Sequence, residues 1–171
     1  MGQEDVEYRF AGAVDAASVA ALLRALDSHY LPEKTHPSKA VYLAMVGRVF
    51  DSREGTRFVL AIRKGKPVGI ACIAILRPGN SLKGLIYVKD LFVVEAARSI
   101  GIGRGLMGFL ASLALAKGIG RIELATDTDN QGARRLYEAL GASKPEKIAY
   151  RFEVEAMKRM ADPDVAVPDD E

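Results

Sequence analysis

Residues Arg98–Gly108 read R-S-I-G-I-G-R-G-L-M-G and carry two overlapping phosphate-binding signatures. Taken from Gly103, the stretch spells G-x-G-x-x-G with Gly103, Gly105 and Gly108, the dinucleotide fingerprint. Taken from Arg98, it spells R-x-x-G-x-G, with Gly101 and Gly103. Both frames place glycines at a helix start, where free backbone N–H groups and the helix dipole attract a pyrophosphate. The dinucleotide frame needs a strand ending at its first glycine, inside a βαβ unit, and an acid about 20 residues on. Here E-A-A-R-S-I separates the preceding strand, ending near Val94, from Gly101. Glu123 stands at the right offset, but I-E-L-A places it in mid-strand, and Asp127 lies further along. Only two strands remain after Gly108 and hairpins precede it, too few for a doubly wound parallel sheet. On the glycines alone, a ligand loop and plain turn chemistry stand about even.

Working outward, hydrophobic spacing gives one mixed α/β domain in the order β-α-α-β-β-β-α-β-α-β. Val6–Ala11 is a short strand. A helix capped by Asp15 follows, with Val19, Leu22, Leu23 and Leu26 on one face. A second helix covers Ser38–Phe50, with Val41, Met45 and Val49 at helical spacing. Strands Phe58–Arg63 and Val68–Leu76 flank the hairpin signal K-G-K-P, and Leu85–Val94 is a third apolar strand. The glycine stretch opens a helix from Gly103 to Lys117. R-I-E-L-A-T is a strand, Asn130 precedes a helix stopped by Gly141, and Ile148–Val154 is a last strand. Residues 1–160 form the domain; residues 161–171, acidic and proline-containing, form a disordered tail.

Composition narrows the function. The chain has 171 residues and is 49% hydrophobic, enough for one core. A net charge of +2 with no basic stripe argues against nucleic acid as a partner. No apolar run approaches the ~20 residues of a membrane span, and the polar N-terminus is no secretory signal. A cytoplasmic protein is the expectation. Cys72 is the lone cysteine, in an apolar run, and His29 and His36 lack further ligands at metal spacing, so no metal site is expected.

The stretch D129-N-Q-G-A-R-R-L-Y-E-A-L-G-A-S, with Y87-V-K-D-L-F-V-V-E-A-A-R-S-I-G-I-G, separates ligand loop from plain turn. Together they resemble the GNAT N-acetyltransferase superfamily, most of all its spermidine/spermine (diamine) N-acetyltransferases. The acyl-CoA loop of that family is matched by Arg98, Gly101 and Gly103. Its following motif is matched by Asn130, Ala133, Leu136, Tyr137, Leu140, Gly141 and Ala142. The resemblance is specific over Leu85–Ala142 and rests on element order elsewhere. It implies a single GNAT-like domain, a mostly antiparallel sheet flanked by helices, acetyl-CoA as cosubstrate and an amine as acceptor. Members often form homodimers, which extends that expectation to this chain.

Transfer from a thioester to an amine requires the acyl carrier fixed, the carbonyl polarised, the amine neutral and the thiolate protonated. By resemblance, backbone N–H groups of Ser99, Ile100, Gly101, Ile102, Gly103 and Arg104 grip the coenzyme A pyrophosphate. Arg98 and Arg104 add charge there, or Arg98 is solvated. Leu91, Phe92 and Val93 present strand backbone to the pantetheine arm, and the Val93 N–H polarises the carbonyl. Asn130, with Gly132 and Ala133, meets pantetheine; D-T-D-N is equally an ordinary helix cap. Tyr137 lies at core spacing, but the motif makes it the general acid to the thiolate, with a phenol pKa near 10. Asp90 is the candidate base, or a structural strand residue. Its neighbour, usually Glu in the diamine enzymes, is Lys89, a charge that disfavours a polycation. Asp27, His29, Tyr30 and Glu33, read as lying between the first two helices, are expected at the acceptor side. A non-catalytic acyl-CoA-binding module and a nicotinamide-dependent oxidoreductase are the alternatives.

Overall fold

The computed structural model describes residues 6–161 and residue 164. It divides into two compact units, Met1–Gly141 and Ala142–Glu171. The first contains β1 (Val6–Phe10), α1 (Ala16–Tyr30), α2 (Lys39–Asp51), β2 (Thr56–Arg63), β3 (Lys66–Leu76) and β4 (Leu85–Val93). It continues with α3 (Ile102–Ala116), β5 (Ile122–Leu124) and α4 (Gln131–Ala139). The strands form one sheet in sequence order, antiparallel except for the parallel pair β4/β5. One parallel pair at the end of an antiparallel meander excludes the doubly wound sheet a dinucleotide fold needs.

The central strands read as continuous apolar runs because both of their faces are covered. Phe58, Leu60, Ile70, Cys72 and Phe92 pack under α1 and α2, against Val19, Leu22, Leu26, Tyr42 and Val46. The alternate residues Val59, Ala61, Ala71, Ile73, Ile86 and Val88 pack under α3, against Ile102, Leu106 and Leu110. Two layers of helix around one sheet result, and the end of β4 emerges between them.

Three expectations need correction. The buried stripe of α2 is Tyr42 and Val46, whereas Val41 and Met45 are exposed. Both sets have helical spacing; the Tyr42 hydroxyl, donating to Asp27 Oδ2 at 2.6 Å, satisfies the polar tip that would otherwise oppose burial. Asp15 does not cap α1 through its side chain. Its carboxylate instead accepts two hydrogen bonds from Arg9, at 2.8 and 2.9 Å, and one from the Gly12 N–H, which hold it near a pKa of about 2. Residues 148–153 are not a strand, and Val154 begins a short helix, α5 (Val154–Met160). Ile148, Tyr150 and Phe152 alternate as a strand would, yet are 80%, 82% and 58% exposed. Among the described residues of its own unit no strand offers the ladder that alternation alone cannot supply. The expected disordered tail lies outside the described residues, apart from Ala161 and Asp164.

Gly105 sits inside α3 where a Cβ would overlap the Tyr8 ring on β1. Helix propensity favours Gly105→Ala by about 1 kcal/mol. Overpacking against a ring costs about 1–3 kcal/mol. Urea denaturation of Gly105→Ala is therefore expected to show net destabilisation, and adding Tyr8→Ala should make the alanine neutral or favourable.

Candidate active site

The site begins where β4 and β5 part. Their ladder ends at Val88↔Leu124, while β4 continues to Val93 paired only with β3. Lys89 is the extra residue of a β-bulge: Cys72 faces Asp90 and Ile73 faces Val88. A bulge bends its strand and ends regular pairing, which is how β4 leaves its neighbour. The Val94 N–H donates to Val68 O on β3 at 3.0 Å. Strand backbone alternates direction, so the N–H groups of Val93 and Leu91 face the open side. Arg98 donates from Nε to the Val93 carbonyl at 3.0 Å, and its guanidinium lies 5.7 Å from the Phe92 ring centre. Arg98 thus ties the glycine loop to the strand end.

That loop then turns into α3. Ser99 and Gly101 have φ of 64° and 90°, and Gly101 caps the helix in the left-handed region, where glycine alone carries no Cβ penalty. The first N–H groups of a helix have no intrahelical acceptor, so those of Ile102, Gly103 and Arg104 are available to a ligand. At Gly103 a Cβ would stand 3.1 Å from Leu136 Cδ2, so this glycine lets α4 approach α3. A Cβ on Gly108 would meet nothing within 4 Å, and the dinucleotide frame loses its third glycine.

A cleft of about 460 Å³ runs from the β4 edge between the starts of α3 and α4. Of the expected residues, Leu91, Phe92, Val93, Arg98, Ser99, Gly101, Ile102, Gly103, Arg104, Asn130, Gly132, Ala133 and Tyr137 all line it. Ile100 does not and is half exposed, and Asp90 is also outside the lining. The N-termini of two helices therefore converge on one cavity, a positive field suited to an anion. Asn130 Oδ1 accepts from the Ala133 N–H at 3.1 Å, the cap of α4, while Nδ2 is 3.5 Å from the Tyr30 hydroxyl. Tyr137 is partly buried; burial first, and the Tyr30 hydroxyl second, push its phenol above its usual 10.0.

His29 and Tyr30 are not between the helices, as expected, but in the last turn of α1, and both line the cleft. Their rings meet edge to face at 5.1 Å, and His29 lies 6.0 Å from Phe92. Asp27 is also on α1 and holds Tyr42, whose phenol burial and this carboxylate raise to about 12. Glu33 lies in the exposed turn after α1. Asp90 is ion-paired with Lys89 at 2.8 Å. Sequence reasoning missed Leu136 and Ala97 as lining residues, since each looks like ordinary core. It also missed the Tyr42–Asp27 pair, which joins residues on two helices. No cluster of metal-ligating side chains occurs among the described residues, and none of their helices is long and apolar enough to cross a membrane.

A β4 edge opened by a bulge, with a glycine-started helix beside it, accords with a family match over residues 20–142. The matching model is described as the Acetyltransferase (GNAT) family, and the chain belongs to it. Over 80 residues it is 38% identical to the thialysine N-epsilon-acetyltransferase of Bos taurus, covering 44% of this chain and 47% of that protein. It is 37% identical over 67 residues to the D-amino-acid N-acetyltransferase of Saccharomyces cerevisiae, covering 39% and 41%. The chain thus matches about half the length of these curated relatives or less. A solved integron cassette protein from the mobile metagenome of V. cholerae superimposes with a TM-score of 0.84 at 29% identity, over 91% of this chain and 96% of that one.

Asn130→Ala removes the α4 cap and is expected to cost about 1 kcal/mol in urea unfolding, with Asn130→Asp retaining most of it. Equal stability of the alanine variant would show that the cap bond carries no weight.

Proposed function

We propose that this protein is an acetyl-CoA-dependent N-acetyltransferase acting on a small primary amine by direct attack in a ternary complex. The observation that carries the reading is the β4 edge at Leu91–Val93, without a strand partner on one side and opening into the cleft that Tyr137 lines. In this reading residues to about 160 form the catalytic domain. The first-turn N–H groups of α3 hold the pyrophosphate, and β4 pairs with the pantetheine amides as a strand would. The amine lone pair attacks the thioester carbon, and the Val93 N–H takes the developing oxyanion. Collapse breaks the C–S bond, Tyr137 gives its proton to the leaving thiolate, and the phenolate so formed takes the extra proton of the amide nitrogen. Burial keeps the Tyr137 proton in place at neutral pH, so it is available when the thiolate forms. We assign Asp90 to the ammonium proton, with Lys89 holding its Oδ2.

The finer likeness to diamine acetyltransferases rests on the stretch Leu85–Ala142. The two curated relatives above are named instead for thialysine and D-amino acids, so the class we assign is a small amine rather than a polyamine. A purely acyl-CoA-binding module is the competing reading, and it gives a phenol in the cleft no task.

Tyr137→Phe separates the two. Acetyl transfer followed by release of CoA thiol should fall about 100-fold or more, while acetyl-CoA affinity by calorimetry changes little. Unchanged turnover in the variant would remove Tyr137 from the chemistry.

A further inference from the structure

The peptide that joins Val93 to Val94 is held on both sides. Its N–H donates to Val68 O on β3, and its carbonyl accepts from Arg98 Nε, each at 3.0 Å. The second hold is built locally. After β4 a single 3-10 turn, Glu95–Ala97, closes with the Ala97 N–H on Val94 O at 2.9 Å and the Arg98 N–H on Glu95 O at 3.1 Å. Ala97 is 3% exposed, so the core fixes the turn, and the turn returns Arg98 to the strand it has just left. The guanidinium comes to rest 5.7 Å from the Phe92 ring centre, and Phe92, Val93, Ala97 and Arg98 all line the cleft. Val93 is the last residue of β4, a place where a strand frays unless its backbone is tied.

On a strand the N–H and C=O of one residue point to the same side. At Val93 both face the cleft, and Arg98 takes the acceptor while leaving the donor open. An amide brings an N–H and a carbonyl, and pairs fully only with an edge that offers both. A thioester has a carbonyl and no N–H, so an edge residue that offers a donor alone is its match. We propose that Arg98 is a positioning residue for acetyl transfer rather than a phosphate ligand: by occupying the Val93 carbonyl it ends the amide ladder and aims the Val93 N–H at the thioester oxygen. The proposal deepens the acetyltransferase reading and rests on it. A guanidinium bond to a carbonyl is charge-assisted and stronger than a neutral one. Its loss matters because a donor displaced by about 1 Å from a developing oxyanion costs up to about 100-fold in rate.

The test follows acetyl-CoA labelled with carbon-13 at the thioester carbonyl, by NMR with the protein in saturating excess. In the protein as it stands, hydrogen bonding by the Val93 N–H should move the resonance downfield of its free position. Arg98→Met keeps the length of the side chain without a donor and should lose most of that shift. Arg98→Gln carries a neutral N–H as many bonds from Cα as Arg98 Nε and should keep most of it. Calorimetry should give acetyl-CoA affinities within about threefold of one another for the parent and both variants. Thermal melts establish that the variants fold. Equal shifts in the two variants overturn the proposal. So does the result expected of a phosphate ligand, in which both variants lose about tenfold or more in affinity and keep the shift at saturation. Acetyl-CoA that binds without any downfield shift overturns the Val93 role and the proposal with it, sparing the cosubstrate assignment; failure to bind acetyl-CoA overturns the acetyltransferase reading as well.

Discussion

The loss of a neighbour by β4 organises the site. A strand inside a sheet has its backbone groups paired on both sides, and an unpaired edge away from water must find another partner. Here the extra residue Lys89 bends β4 away just after Val88, so Leu91 and Val93 keep β3 on one side and face a cleft on the other. β5, only three residues long, ends where the bulge begins. Between Leu91 and Val93, Phe92 is anchored in the core beneath α1. Arg98 completes the arrangement by binding the carbonyl of Val93.

The glycines take their meaning from this geometry rather than from a shared motif. Gly101 is needed for its left-handed backbone, Gly103 for the approach of Leu136, and Gly105 for the Tyr8 ring. One residue therefore shapes the turn into α3, and two let α4 and β1 close on α3. Packing of this kind brings two helix N-termini to a single cavity, and their dipoles add there.

Much of the site was legible because it is local in the chain. R-x-x-G-x-G predicts a loop at a helix start, and N-x-x-A-x-x-L-Y places a cap and a phenol on the next helix; each needs only a few consecutive residues. The α2 face was not legible: Val41 and Tyr42 both satisfy helical spacing, and Asp27, on another helix, selects Tyr42. The alternation of Ile148, Tyr150 and Phe152 likewise promised a strand, but alternation describes side chains, whereas a strand requires a backbone partner. The second unit holds no such partner among its described residues.

The amino-acid sequence by itself determined the order of elements through α4, the helix starts at the glycines and Asn130, and the family. Hydrophobic period, caps and turn residues act over one or two turns of chain, and so survive in a linear reading. Tertiary structure alone decided that β4 parts from β5 at Lys89, that Arg98 turns back to Val93 rather than outward, and that Asp27 on α1 meets Tyr42 on α2. These features join residues of different elements or turn on one inserted residue. Their energies come from pairing and burial across the sheet, which no local pattern encodes.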